Sequence, residues 1–270
     1  MLGAALMHAA WNALIKSGRE PLLDMALLTL AGSLLAIAIA LVATVPPPSA
    51  AAWPYIAAST VVHIGYYATL AAAYRAGDLS HGYPIMRGTA PLLTATGTWL
   101  ALGESLSAGA TMGVLLICGG VLSLGMAGGG ASRQATGWAL LNALIIAIYT
   151  LADGAGVRVS GDALGYVVWL FVVHGLPFGL GVLAVKRGTF LRHAAKNWRR
   201  GFAGALLSGL SYGIALWAMT RAPVAVVAAL RETSVIFGAL IGAWFLREGH
   251  LRERLSGAAI VLAGLIALKL

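Results

Sequence analysis

Charge is what this sequence has least of. Charged residues fill 10% of its 270 positions, against about 25% in an ordinary soluble domain. Apolar side chains fill 60%, so a water-facing fold would carry large exposed apolar patches. The same hydrophobicity excludes disorder. Acids are scarcer than bases, nine against eighteen. The resulting formal charge of +9 does not mark a nucleic-acid binder, because Lys and Arg gather in short breaks between apolar runs. Topology signals in membrane proteins are placed that way.

Other absences narrow the chemistry. One cysteine excludes an internal disulfide and a Cys-rich metal site. Cys118 lies in an apolar run and reads as a buried, inert thiol. The six histidines are scattered and none belongs to a His-Glu-x-x-His helix, so no metal cluster is expected. No Gly-rich loop ends in Lys-Ser or Lys-Thr, so ATP-driven pumping has no engine. The chain reads as neither an enzyme nor a cofactor binder.

What is present is long apolar runs. A helix crossing a bilayer needs about 20 mostly apolar residues. Ten such runs fall near 2–17, 24–44, 53–75, 80–102, 107–127, 136–157, 163–185, 201–221, 224–246 and 254–269. They are too long and too uniformly apolar for the alternating strands of a barrel. The breaks carry turn chemistry, as in Pro46-Pro47-Pro48 and Gly128-Gly129-Gly130, and the longest polar break runs from Lys186 to Arg200. The first run lacks a basic leader and carries His8 and Asn12, which favours a retained helix over a cleaved signal. The expected fold is an all-α integral membrane protein of ten helices, with the lipid bilayer as its solvent.

The sequence also repeats itself. At an offset of 144, Arg87 meets Arg231, Thr89 meets Thr233 and Glu104 meets Glu248. Gly65 meets Gly209, Gly113 meets Gly257 and Gly120 meets Gly264. Gly matches are cheap here; Arg and Glu matches at one fixed offset in a charge-poor chain are not. The repeat predicts two five-helix halves, 1–127 and 136–270, joined by 128–135. Five is odd, so the second half enters the membrane from the opposite side. Such inverted repeats are typical of secondary transporters, with a site between the halves.

The opening His8-Ala9-Ala10-Trp11-Asn12-Ala13-Leu14-Ile15-Lys16 resembles the start of bacterial EamA-type proteins of the drug/metabolite transporter superfamily. The tract Tyr74-Arg75-Ala76-Gly77-Asp78-Leu79-Ser80, followed by Tyr83-Pro84-Ile85-Met86-Arg87-Gly88 and Gly103-Glu104, is similar too. So is Ala229-Leu230-Arg231-Glu232-Thr233-Ser234, followed by Glu248. The resemblance spans both halves. It implies a ten-helix secondary carrier in the bacterial inner membrane, often an exporter of a small metabolite, without naming the metabolite.

Ionisable groups at membrane depth are costly, and each is a functional candidate. Arg87 and Arg231 either face one central cavity from its two ends or snorkel to the nearer interface. Tyr83, four residues before Arg87, shares its helical face. His8, Asn12 and Lys16 form a polar stripe at i+4 steps, with Trp11 beside it; the cavity and helix–helix hydrogen bonding both account for it. Asn142, Tyr149 and Asp153 share a face of the sixth helix, and Asp153 reads equally as a solvated charge at a helix end. Glu232 fits an ion pair with a neighbouring helix or a proton carrier. His63, Tyr67 and Tyr74, with Tyr212 and Trp217, read as packing or as a site wall, and His174 as packing. Glu104 and Glu248 suggest a common structural role at the membrane edge.

Two arginines with few acids favour an anionic or zwitterionic substrate such as an amino acid or organic acid, since guanidinium matches carboxylate or phosphate geometry. The candidate binding set is therefore Arg87, Arg231, His8, Trp11, Asn12, Tyr83 and Tyr149. Glu232 and Asp153 stand as proton or ion-pair candidates. The competing classes are a non-transporting membrane subunit or sensor and, less favoured, a membrane enzyme; the chain also allows a homodimer. Counting loops by the preceding helix, the odd loops hold thirteen basic residues and the even ones only Arg158 and Arg221. The positive-inside rule then puts both termini outside, whereas the resemblance implies termini inside.

Overall fold

The computed structural model describes residues 1–16, 18, 20–76, 79–126, 132–237 and 251–268. Over these residues the chain forms α1 (Leu2–Lys16), α2 (Pro21–Val42), a 3₁₀ turn (Ala50–Ala52), α3 (Trp53–Ala76) and α4 (Leu79–Leu102). There follow α5 (Ala108–Met126), α6 (Arg133–Val159), α7 (Ala163–Val185), α8 (Arg187–Met219), α9 (Val224–Arg231) and α10 (Leu251–Ala267). No strand occurs among the described residues. Local chemistry sets the boundaries. Pro21 begins α2, where its missing N–H costs no helical bond. Asp162 caps α7 by accepting from the Leu164 and Gly165 N–H groups at 3.0 and 2.9 Å. Gly161, just after α6, takes a φ of +74° that a side chain would resist.

Among the described residues, four helices are long and apolar enough to cross a membrane: α2, α6, α7 and α8, with mean hydropathies of 2.5, 1.7, 2.0 and 1.5. Other apolar helices are shorter, over Leu2–Ile15, Ala108–Leu124 and Ser256–Ala267. Side chains are distributed inside out. Leu41, Val42, Trp99, Leu100 and Ile266 are exposed, while Arg87, Asp153, Arg231 and Glu232 are buried.

Two expectations about the runs are corrected. The polar stretch 187–200 is not a loop. It forms the first turns of α8, whose 33 residues span about 50 Å. The stretch contains no proline, and it docks its buried Phe190 on Leu23 and Leu27 of α2. His193 Nε2 bonds Asp24 Oδ1 at 2.9 Å beside it. The ninth run is not one smooth helix either. After Arg231 the hydrogen bonds shorten to i→i−3, from Glu232 N to Ala229 O and from Thr233 N to Leu230 O, and helix resumes at 234–237. A mid-helix 3₁₀ step of this kind commonly marks a functional position. The repeat-equivalent α4 runs on through Arg87 but carries Pro84 and Pro91. Pro91 withholds the N–H that the Arg87 carbonyl would accept.

Packing follows the repeat. Replacing each helix by the one five places later turns the α1–α8 contact into α6–α3 and the α2–α8 contact into α7–α3. The α2–α7, α4–α9 and α5–α10 contacts map onto themselves. In α5–α10 the glycines face each other so closely that a Cβ on Gly113 would lie 2.9 Å from Gly264 O, and one on Gly264 2.9 Å from Gly113 O. Gly120 and Gly257 relate in the same way, again at 2.9 Å each. Numbers rising along α5 meet numbers falling along α10, so these equivalent helices run antiparallel. The α2–α7 pair does too: Ser33 donates to Phe171 O at 2.8 Å, and a Cβ on Gly175 would come within 2.3 Å of Thr29 O. Small residues permit such backbone approach.

Candidate functional site

Every described helix except α5 and α10 contributes to one central cavity of about 90 Å³, enough for roughly six waters or a small metabolite. His8 and Trp11 enter from α1, Arg87 from α4, Tyr149 from α6, Tyr212 from α8 and Arg231 from α9. Rings form much of the wall. His63 stacks on Tyr149 with centroids 4.1 Å apart, and His174 meets His63 edge-on at 4.1 Å. Tyr67 Oη lies 3.3 Å from His174 Nε2. Trp11 Nε1 donates to His8 Nδ1 at 3.3 Å, which orients both side chains of α1.

The two arginines differ in their company. Arg87 is clasped by Glu232: Nε donates to Oε2 at 2.9 Å and the second nitrogen lies 2.8 Å from Oε1. One charge-assisted hydrogen bond and a second close charge contact hold the pair together. Arg231 makes no such pair among the described residues. It is 7% exposed, its Nε has no hydrogen-bond partner, and its guanidinium sits 4.9 Å from the Tyr212 ring centroid. Tyr212 in turn donates its hydroxyl to Asp153, which also accepts from Tyr166 at 3.0 Å. A row Arg231–Tyr212–Asp153 thus runs from the cavity into the protein. Asp153 is fully buried at 0% exposure, far from a solvated helix end.

Asn12 and Tyr83 lie outside the cavity lining. Asn12 turns back on its own helix, donating to His8 O at 2.8 Å. Tyr83, one turn before Arg87, packs with Ala73, Met86 and Tyr149. Asn142 ties α6 to α3 by donating to Thr69 Oγ1 at 2.8 Å and Tyr66 O at 3.0 Å. Glu104 accepts from Arg158 and from Val224 N at 3.1 Å, joining α4, α6 and the start of α9. Glu248 is outside the described residues. Sequence spacing gave no sign of His174, Phe171 or Ser208 at the cavity. Their cavity partners lie partly on other helices: Phe171 faces Tyr212 of α8 and His174 meets Tyr67 of α3.

A two-half helical bundle with ionisable groups turned inward around a cavity and apolar side chains turned outward has the architecture of a membrane transporter. The chain belongs to the EamA-like transporter family, whose model matches residues 1–126 and again residues 134–270. It is therefore a membrane transporter of the drug/metabolite transporter superfamily, and the family is one of carriers rather than enzymes. Twenty-five solved chains are similar in fold. One, a crystal structure of a protein 17% identical in sequence, superposes with a TM-score of 0.76 over 98% of this chain and 93% of its own. At that identity the likeness concerns the fold. A comparison with curated proteins gives no match.

Proposed function

We propose that the protein is a secondary transporter that exports a small anionic or zwitterionic metabolite, such as an amino acid or organic acid, across the bacterial inner membrane. The carrying observation is Arg231, whose guanidinium lines the cavity without a carboxylate partner among the described residues while Arg87 is neutralised by Glu232. A carboxylate or phosphate on the substrate supplies the missing acceptor. His8, Trp11 and Tyr149 wall the substrate, with Tyr212, His63 and His174 completing the wall. Glu232 serves as the ion-pair partner, which leaves Asp153 as the acid to carry a proton in coupled transport.

The two halves work as inverted repeats that rock about the cavity, giving alternating access. The antiparallel packing of α5 on α10 and of α2 on α7 supports this reading, because equivalent helices point opposite ways. The 3₁₀ step after Arg231 places this cavity-lining cation at a helix discontinuity, where transporter sites are commonly built. The polar lining separates this reading from a sensor or accessory subunit, whose repeat-derived cavity would be filled by apolar side chains.

The test is a proteoliposome screen of uptake and efflux with anionic, zwitterionic and cationic metabolites. Anionic or zwitterionic compounds are expected to be carried. Arg231→Ala should weaken the apparent affinity by about 10- to 100-fold, the worth of a hydrogen bond to a charged group. Wild-type transport by a correctly folded Arg231→Ala protein sinks the assignment.

A further inference from the structure

A second cavity lies on the outer face of the bundle, between α2, α3 and α7. It measures about 370 Å³ and is lined by Leu22, Ile64, Pro177, Phe178, Val182 and Lys186, among others. Among the described residues its only charged lining residue is Lys186, at the membrane-edge end of α7. From Pro177 to Lys186 the groove follows α7 for roughly 14 Å, about half of a 30 Å hydrocarbon core and so one leaflet deep. At its inner end Phe178 stacks on Tyr67 with centroids 4.3 Å apart, and Tyr67 lines the central cavity. Groove and cavity share an aromatic wall.

The rim chemistry is independent of the groove and points the same way. Lys186 is followed at once by Arg187, and the first turns of α8 add Arg192, Lys196, Arg199 and Arg200 with no acid among them. Opposite stand Glu20, before α2, and Asp24, which His193 occupies. Trp198 is half exposed on the same stretch, as suits an interfacial ring. An apolar slot of leaflet depth under a basic rim fits one acyl chain capped by an anionic headgroup.

We propose that this groove binds an anionic phospholipid, its acyl chain along α7 and its phosphate on Lys186 and Arg187. The proposal rests on the chain being a membrane protein, which its family gives, and not on the identity of the transported metabolite.

Delipidated protein in detergent would be titrated with dioleoylphosphatidylglycerol, with dioleoylphosphatidylcholine of the same tails, and with glycerol 3-phosphate, bound species being counted by native mass spectrometry. One phosphatidylglycerol is expected to bind several-fold tighter than phosphatidylcholine, with no binding of glycerol 3-phosphate. Lys186→Gln should cost about fivefold, the usual worth of one basic group at an anionic surface. A Cβ on Gly181 meets nothing within 4 Å, so Gly181→Leu should fold normally, fill the groove and abolish retention. Equal binding of the two phospholipids, capture of glycerol 3-phosphate alone, or retention by a folded Gly181→Leu protein each overturns the proposal. So does a Gly181→Leu protein that turns from dimer to monomer, since the occupant is then a second copy.

Discussion

Replacing Glu232 with Gln should destabilise the protein out of proportion to the one atom changed. The carboxylate meets Arg87 at 2.8 and 2.9 Å, with both side chains at most 7% exposed. Gln preserves the shape and one acceptor but removes the charge. Breaking a buried pair from one side costs about 3–5 kcal/mol, because the other charge stays buried without compensation. At 1.4 kcal/mol per decade, that is roughly two to three and a half decades in the folding equilibrium. Arg231 worsens the deficit, since two guanidiniums then share one cavity, and Asp153, buried behind Tyr212, is already held by Tyr166 and Tyr212. Replacing both partners, Arg87→Met with Glu232→Leu, removes the orphan charge and should recover most of the loss. Denaturant titration in detergent micelles, followed by helical circular dichroism, measures all three variants. A Glu232→Gln protein within about 1 kcal/mol of the parent, the range of exposed pairs, would show that the pair is solvated. A double variant no more stable than the single would show that shape, not charge, sets the cost.

Three further outcomes follow from the packing and charge. Gly264→Ala should cost about 1–3 kcal/mol by overpacking, because its Cβ falls 2.9 Å from Gly113 O; Gly119→Ala, with nothing within 4 Å, should be neutral or slightly stabilising in the same thermal melt. Tyr212→Phe keeps the ring beneath Arg231 but deprives Asp153 of one of its two phenol donors, so stability should fall by about 1–3 kcal/mol while Arg231-dependent substrate affinity persists. On a Cys118→Ser background, a cysteine introduced at the C-terminus should label from outside intact cells and Lys196→Cys should not, as the positive-inside rule requires; the reverse pattern refutes that orientation.

Helix positions were legible because lipid-length apolar runs and Gly/Pro breaks are strong local signals, and the repeat was legible because Arg87–Arg231 and Glu104–Glu248 recur at one offset. The polar stretch 187–200 is helical although its composition is that of a break, because the buried Phe190 and the His193–Asp24 bond dock it on α2. The break after Arg231 left no trace in the pattern, since neither Gly nor Pro marks it. Spacing brought Arg87, Arg231, His8, Trp11 and Tyr149 under suspicion, and the structure places them around one cavity. Spacing within a helix could not say that Asn12 turns back on its own backbone, or that His174 finds Tyr67 across the bundle.

The glycine crossing of α5 and α10 carries a consequence about parts rather than the whole. Gly113 touches Gly264, and Gly120 touches Gly257; but Gly257 is the counterpart of Gly113, and Gly264 the counterpart of Gly120. The seam is therefore isologous, one recipe used twice. Whatever one half needs in order to grip the other at this crossing, it already has for gripping a copy of itself whose fifth helix runs antiparallel to its own. A five-helix chain ending at Met126 would bring Gly113 against its twin's Gly120, and the reverse, with the same two close approaches. The covalent link between the halves then adds proximity to a contact whose geometry a single half already specifies.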